Sequence, residues 1–300
     1  METRPRAAPR VRRRDFLTTV ASTAAAAAFI PVAGCALNDP PDKPKWRMKL
    51  STSTIQFSSL PIEDACRRIA ALGFTGIDIW CAHQGCPHLD DCLNRLGPGG
   101  LSALLEETRL ELCSFSTYTG GFAKYAELLG GVGGGLAVQG SAGPCEPQEL
   151  TSRMRRFLDD LKPLVELAEK TDSHLAIENH GHALLDSVDS LKAFVDLNPS
   201  PRVGIALAPY HLQTIAASVP EAIEVCGGQL LFFYAWQNAP GVKQLPGLGP
   251  VDCTPWIEAL AKIGYPGYVN PFMHGAPVPD RMVRALVESK AYLARCHARL

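Results

Sequence analysis

From residue 48 onward, short apolar runs alternate with longer stretches in which apolar positions recur every three or four residues. The runs predict eight strands, near 49–56, 76–80, 112–117, 136–139, 175–179, 203–207, 230–235 and 268–271. The stretches between them predict helices near 62–72, 101–108, 122–129, 150–168, 187–196, 212–226, 254–263 and 279–297. The longest stripe runs through Leu150, Met154, Phe157, Leu158, Leu161, Val165 and Ala168, and Pro163 within it predicts a kink. Repeated βα units make a parallel sheet, and eight of them in about 250 residues match a closed barrel. The expected fold class is therefore α/β, a single-domain (β/α)8 (TIM) barrel over 48–300.

A doubly wound nucleotide fold is the rival, and it wants a glycine-rich turn after its first strand. Phe57-Ser58-Ser59-Leu60-Pro61 stands there instead. The glycine-rich run 130–135 falls between a helix and the next strand, on the face of the barrel opposite the strand C-termini, which predicts a structural role.

The first 47 residues break the pattern. Six arginines occur in the first fourteen residues, ending in Arg12-Arg13-Arg14, and an alanine-rich apolar stretch of about 17 residues follows. This arrangement predicts a twin-arginine export signal over 1–34. Val32-Ala33-Gly34-Cys35 resembles a bacterial lipobox, which implies cleavage before Cys35 and lipid attachment to it. The proline-rich segment up to residue 47 then forms a stiff tether. The expected location is the cell envelope, with the membrane reached only through the lipid.

The whole chain has 29 basic and 30 acidic residues; residues 1–34 contribute six and two, so the remainder carries a formal charge of −5. No basic stripe accompanies it, which disfavours a nucleic-acid partner. Nine cysteines follow Cys35, an odd number. Export of a chain folded in a reducing compartment predicts mostly reduced thiols, with one late disulfide among Cys81, Cys86 and Cys92. Cys113 and Cys226 read as buried packing residues.

In a barrel of this kind the chemistry sits at the C-terminal ends of the strands. That rule selects Gln56, Trp80, His83, His88, Asp90, Glu178, His180, His182, His211, Tyr234, Trp236, Gln237, Asn270 and His274. Four of the eight histidines follow the fifth, sixth and eighth strands, as metal ligation or acid/base work would require. Trp80, Tyr118, Tyr210, Tyr234 and Trp236 fall on the same face and suit a sugar, whose ring has apolar faces edged by hydroxyls. The loop after the second strand is dense in Cys and His, but its spacing does not match paired zinc ligands. It reads as a cap over the mouth, with His88 or Asp90 reaching the ligand. No nucleophile elbow, phosphate loop or HExxH occurs.

Three segments carry a resemblance: Leu175-Ala-Ile-Glu178-Asn-His180-Gly, Val203-Gly-Ile-Ala-Leu-Ala208-Pro-Tyr-His211-Leu, and Gly264-Tyr-Pro-Gly267-Tyr-Val-Asn-Pro. In them the chain resembles the xylose-isomerase-like sugar isomerase/epimerase barrels. The resemblance implies a divalent cation (Mn, Zn or Mg) and proton abstraction beside a sugar carbonyl, leading to isomerisation, epimerisation or elimination. By position, Glu178 matches a family metal ligand and His211 a substrate-contacting histidine. Ala208 stands where the family has an aspartate, Tyr234 or a neighbour where it has a histidine, and Phe272 about where it has its last glutamate.

Losing two carboxylates and an imidazole degrades a site for a hard cation. The residual metal set is Glu178, His211 and His274, with His180 and His182 available to an imidazole-rich replacement suited to zinc. His180 and His182 alternate with Glu178, so on a continuing strand all three share a face. Otherwise these side chains hydrogen-bond a polar ligand without metal. The assignments that follow are Glu178, His211 and His180 as catalytic, and Trp80, His88, His182, Tyr234, Trp236, Gln237, Asn270 and His274 as sugar contacts. A non-catalytic carbohydrate-binding barrel is the alternative, motivated by Ala208 and Phe272.

Overall fold

A computed structural model describes residues 46–275 and 277–300. The predicted signal over 1–34, the lipid site Cys35 and the tether through residue 45 lie outside the described residues. Trp46, expected in the tether, is docked on the domain. Its indole donates to the Tyr265 carbonyl at 2.5 Å, and its ring meets His297 edge-on at 5.6 Å.

Eight parallel strands close a barrel in chain order: β1 (Lys49–Ser53), β2 (Gly76–Trp80), β3 (Glu111–Ser116), β4 (Gly135–Gly140), β5 (Ser173–Glu178), β6 (Val203–Leu207), β7 (Leu230–Ala235) and β8 (Tyr268–Pro271). Closure is made where Lys49 pairs with Tyr268 and Leu50 with Val269. Around it lie α1 (Ile62–Ala71), α2 (His88–Asp91), α3 (Gly97–Thr108), α4 (Gly121–Gly131), α5 (Leu150–Asp160), α6 (Lys162–Lys170), α7 (Val188–Leu197), α8 (Pro209–Thr214), α9 (Val219–Cys226), α10 (Thr254–Lys262) and α11 (Pro279–His297).

The strands match expectation, apart from β1, which ends at Ser53 and passes into a 3₁₀ turn containing Gln56. Two expected helices are divided, both at prolines. Pro163 starts α6 rather than kinking one long helix, and Pro220 opens α9, whose N-cap Ser218 accepts from the Glu221 amide. Proline fits the first turn of a helix, where its missing N–H costs nothing, so each marks a new start.

Period-two alternation along the strands sorts the core into two layers. Ile77, Ile79, Phe115, Leu175, Ile177, Ile205, Phe233 and Val269 face outward and join the helices in the larger cluster. Trp80, Ala176, Ala206, Ala208, Phe232, Tyr234 and Phe272 face inward and form a second cluster within the barrel. Such interiors usually hold bulky branched side chains. This one is mostly alanines and aromatics, with Ile55 and Val138 its buried branched members and buried Ser51, Ser53, Asp78, Ser114, Ser116 and Asn270 besides.

The glycine-rich run closes α4 and turns into β4. Gly134 has φ +81°, its amide donates to the Leu129 carbonyl at 2.9 Å, and a side chain there would strike the Asp172 carbonyl. Gly134→Ala is therefore expected to lower stability by about 1–3 kcal/mol, the range for a non-glycine residue forced into this region. An urea midpoint equal to that of the parent chain would refute it.

The expected disulfide is not formed: Cys81, Cys86 and Cys92 are all free and buried. Each thiol sits in its own packing environment. Cys86 Sγ lies 3.3 Å from His88 Nδ1, Cys81 Sγ accepts from the Thr119 amide at 3.1 Å, and Cys92 belongs to the outer core. Cys226 is buried as expected, whereas Cys113 is partly exposed, with its thiol donating to the Ile77 carbonyl at 2.9 Å.

Candidate active site

At the C-terminal end of the barrel, aromatic and imidazole rings form one continuous set. Trp80 stacks on Phe272 with centroids 5.0 Å apart and an interplanar angle of 14°, and also meets Tyr118 at 5.0 Å. Trp236 stacks on Tyr210 at 4.2 Å and 13°, and meets Phe272, His274 and His211 edge-on at 5.2, 5.0 and 5.4 Å. His180 and His211 lie 3.9 Å apart by ring centroid, and His83 and His274 5.9 Å apart. Strand ends produce this gathering: β2 delivers Trp80, β7 leads into Trp236, β8 into Phe272 and His274, and the opening turn of α8 carries Tyr210 and His211.

Glu178 closes β5 and points inward, only 8% exposed. Burial pushes its carboxyl up to about 8; the adjacent Tyr118 hydroxyl draws it partly back, and the charge of Asp78 raises it further. His211 is driven the other way, down to about 3, by burial and by His180 and His274. His274 falls to about 4 through burial, His83 and His180. Near neutral pH the mouth thus holds a protonated Glu178 and neutral His211 and His274, an arrangement in which environment separates acid from base.

Beneath the rings runs a hydrogen-bonded polar interior. Ser51 donates to Asn270 Oδ1 at 2.9 Å, Asn270 Nδ2 to Ser53 at 2.8 Å, and Ser53 to Asp78 Oδ2 at 2.6 Å. Asp78 also accepts from Trp80 Nε1 at 2.5 Å and from Ser114 and Ser116, both at 2.8 Å. Ser116 lies 2.7 Å from the Tyr234 hydroxyl, to which Tyr118 donates at 3.2 Å.

Several assigned sugar contacts are placed elsewhere. His88 is buried with Nε2 2.9 Å from the Leu60 carbonyl and Nδ1 against Cys86, so both nitrogens are occupied inside the cap loop. Asp90 bonds Lys124 and Tyr125. Gln237 donates to the Leu245 carbonyl at 3.0 Å and accepts from the Val251 amide at 2.9 Å, which pins the loop after β7. The Asn270 amide is engaged below the mouth by Ser51 and Ser53. Because β5 stops at Glu178 and His182 takes φ +61°, the expected alternation ends, and His182 lies exposed outside the ring set. Asp78 and the serines around it were missed. Their signal was present: small polar residues spaced by two in β1 and β3, facing a carboxylate in β2.

The metal set Glu178, His211 and His274 is not assembled. Among the described residues, no group of three or more His, Cys, Asp or Glu is placed to hold a metal ion. Ala208, Tyr234 and Phe272, standing where the resemblance implies ligands, are buried in the apolar inner cluster. A wall of an alanine and two aromatic rings does not fit a hard cation, which takes oxygen donors.

The sequence model of the family described as xylose isomerase-like TIM barrel matches residues 66–288. The chain belongs to this family. Solved structures share the xylose isomerase-like fold at low identity. One is the 3-keto-D-glucoside 4-epimerase YcjR from E. coli, at 18% identity and TM-score 0.64, covering 82% of this chain and 100% of that one. Another is D-psicose 3-epimerase with D-tagatose from Clostridium cellulolyticum H10, also at 18% and 0.64, covering 84% and 99%. A third is the probable 3-DHS dehydratase AsbF from Bacillus anthracis, at 16% and 0.65, covering 82% and 99%. No curated protein matches the sequence.

Proposed function

We propose that this barrel binds an uncharged carbohydrate and moves a proton at the carbon next to its carbonyl, leading to isomerisation, epimerisation or elimination. The observation that carries the reading is Glu178, a carboxyl nearly enclosed at the end of β5 next to Tyr118 with its pKa pushed up to about 8, in a barrel whose mouth also carries the paired rings of His211 and His180. A general base is most effective when its pKa lies close to the working pH. Glu178 takes the proton, and neutral His211, with His180 against it, hydrogen-bonds the carbonyl oxygen as charge develops there. Tyr118 and Tyr210, partly exposed and backed by the buried rings of Trp80 and Trp236, supply flat apolar surface to the sugar ring. Membership in the xylose isomerase-like family and the epimerases among the structural neighbours support the same chemistry.

The test is exchange in D₂O. D-Fructose, D-tagatose, D-psicose and a 3-keto-D-glucoside are incubated with the protein, and loss of the C–H signal beside the carbonyl is followed by proton NMR. Binding of one of these sugars without exchange would replace the reaction with simple recognition, the reading favoured by Ala208 and Phe272. Failure to bind or exchange any of them would sink both.

The export reading belongs to the same proposal, because a cell-envelope protein meets free sugars. Replacing Arg13 and Arg14 together by Lys is expected to leave the chain in the cytoplasm, and Cys35→Ala to release it from the membrane fraction. Unchanged fractionation of either variant would count against that arm.

A further inference from the structure

Below the mouth lies an acidic group that the proposed reaction does not use. Asp78 is fully buried, and the hydrogen bonds that stabilise it come from Ser53, Ser114, Ser116 and Trp80. An ionised carboxylate only accepts, so four donors converging on its two oxygens suit the charged form. The consequence passes upward one hydroxyl at a time, because each hydroxyl has a single hydrogen to give. Ser116 gives its hydrogen to Asp78, which leaves its oxygen to accept from Tyr234, 2.7 Å away. Tyr234 then accepts from Tyr118 at 3.2 Å. Tyr118, its hydrogen committed to Tyr234, leaves only lone pairs on the side of the mouth.

We infer that Asp78 is a positioning residue that sets the direction of the Ser116–Tyr234–Tyr118 hydroxyl chain, so that Tyr118 offers an acceptor to a sugar hydroxyl at the mouth. The sugar part of this inference rests on the proposed function. Protonating Asp78 reverses the chain by rotating hydroxyls, with no bond made or broken beyond the O–H on Asp78. Asp78 then donates to Ser116, Ser116 to Tyr234 and Tyr234 to Tyr118, which frees the Tyr118 hydrogen for the mouth.

The titratable groups facing Asp78 are Cys113 from β3, Cys86 from the loop after β2, Tyr118, Tyr234 and Glu178. Burial raises the two thiols and two phenols far above neutral. Burial also raises Asp78 itself, to about 6, against its four donors. Glu178, near 8, is the one neighbour that titrates close to it.

The experiment is carbon-13 NMR of the full chain labelled at the tyrosine ζ carbon, read against pH without any ligand. The Tyr118 and Tyr234 signals are assigned with the two Tyr→Phe variants. Both are expected to shift together in one step centred near pH 6, with the phenols still protonated. The step should persist in Glu178→Gln and vanish in Ser116→Ala, which keeps Asp78 and cuts its link to Tyr234, as well as in Asp78→Asn. A wild-type chain without the step, or Ser116→Ala with the step intact, overturns the inference. If Asp78→Asn fails to fold, Ser116→Ala decides. Turnover is not read here, so a failed exchange assay and a failed titration point to different errors.

Discussion

Glu178→Gln is expected to lower carbon–hydrogen exchange by about 10²- to 10⁴-fold, the usual contribution of a positioned general base, while leaving sugar affinity nearly unchanged. Glutamine keeps the shape of the acid, but its amide is too weakly basic to take up the proton. The pH profile gives an independent check. A base must be ionised to act, so the parent rate should climb with rising pH and reach half its maximum at about 8, where burial has placed the Glu178 carboxyl. The variant's residual rate should show no such climb.

Stability should change in the opposite sense. A carboxyl whose pKa is raised on folding stabilises the fold fully below its ordinary value of 4.5, and that contribution is lost as pH rises through about 8. Glu178→Gln should therefore flatten the fall in melting temperature between the ordinary value of 4.5 and about pH 8. A variant with parental exchange rates would remove Glu178 from the chemistry altogether.

Phe272→Ala should have the largest effect on the fold around the mouth, costing about 3–5 kcal/mol, as expected when a buried phenylalanine is truncated. The ring is 2% exposed and touches Trp80, Tyr234, Trp236 and His274, so no single neighbour can swing in to fill the gap. Ligand affinity should fall with it, because Trp80 and Trp236 both lean on this ring. A denaturant midpoint within error of the parent would show that the wall is not packed as described.

The fold was legible because each strand's apolar run is bounded by turn residues and each helix keeps its stripe. The divisions at Pro163 and Pro220 were less so, since a proline inside a stripe reads alike as a kink or a fresh start. Glu178, His211, Trp80 and Trp236 were legible from their places after strand ends. His88, Gln237 and Asn270 satisfied the same rule and failed it in space, because sequence position does not reveal which polar atoms are taken by backbone or by neighbours. Asp78 escaped because a lone acid inside a β-rich run looks like an interruption until the serines across the barrel are seen to aim at it.

Two of the chain's four tryptophans, Trp80 and Trp236, line the mouth, each stacked on another aromatic ring; Trp46 and Trp256 lie against other parts of the domain. The barrel therefore carries its own optical reporter. Occupation of the mouth by the proposed sugar would alter the surroundings of half of the tryptophans at once, so emission colour and near-ultraviolet dichroism would report it without a label, with Trp256 as an internal reference on the outer side of the sheet.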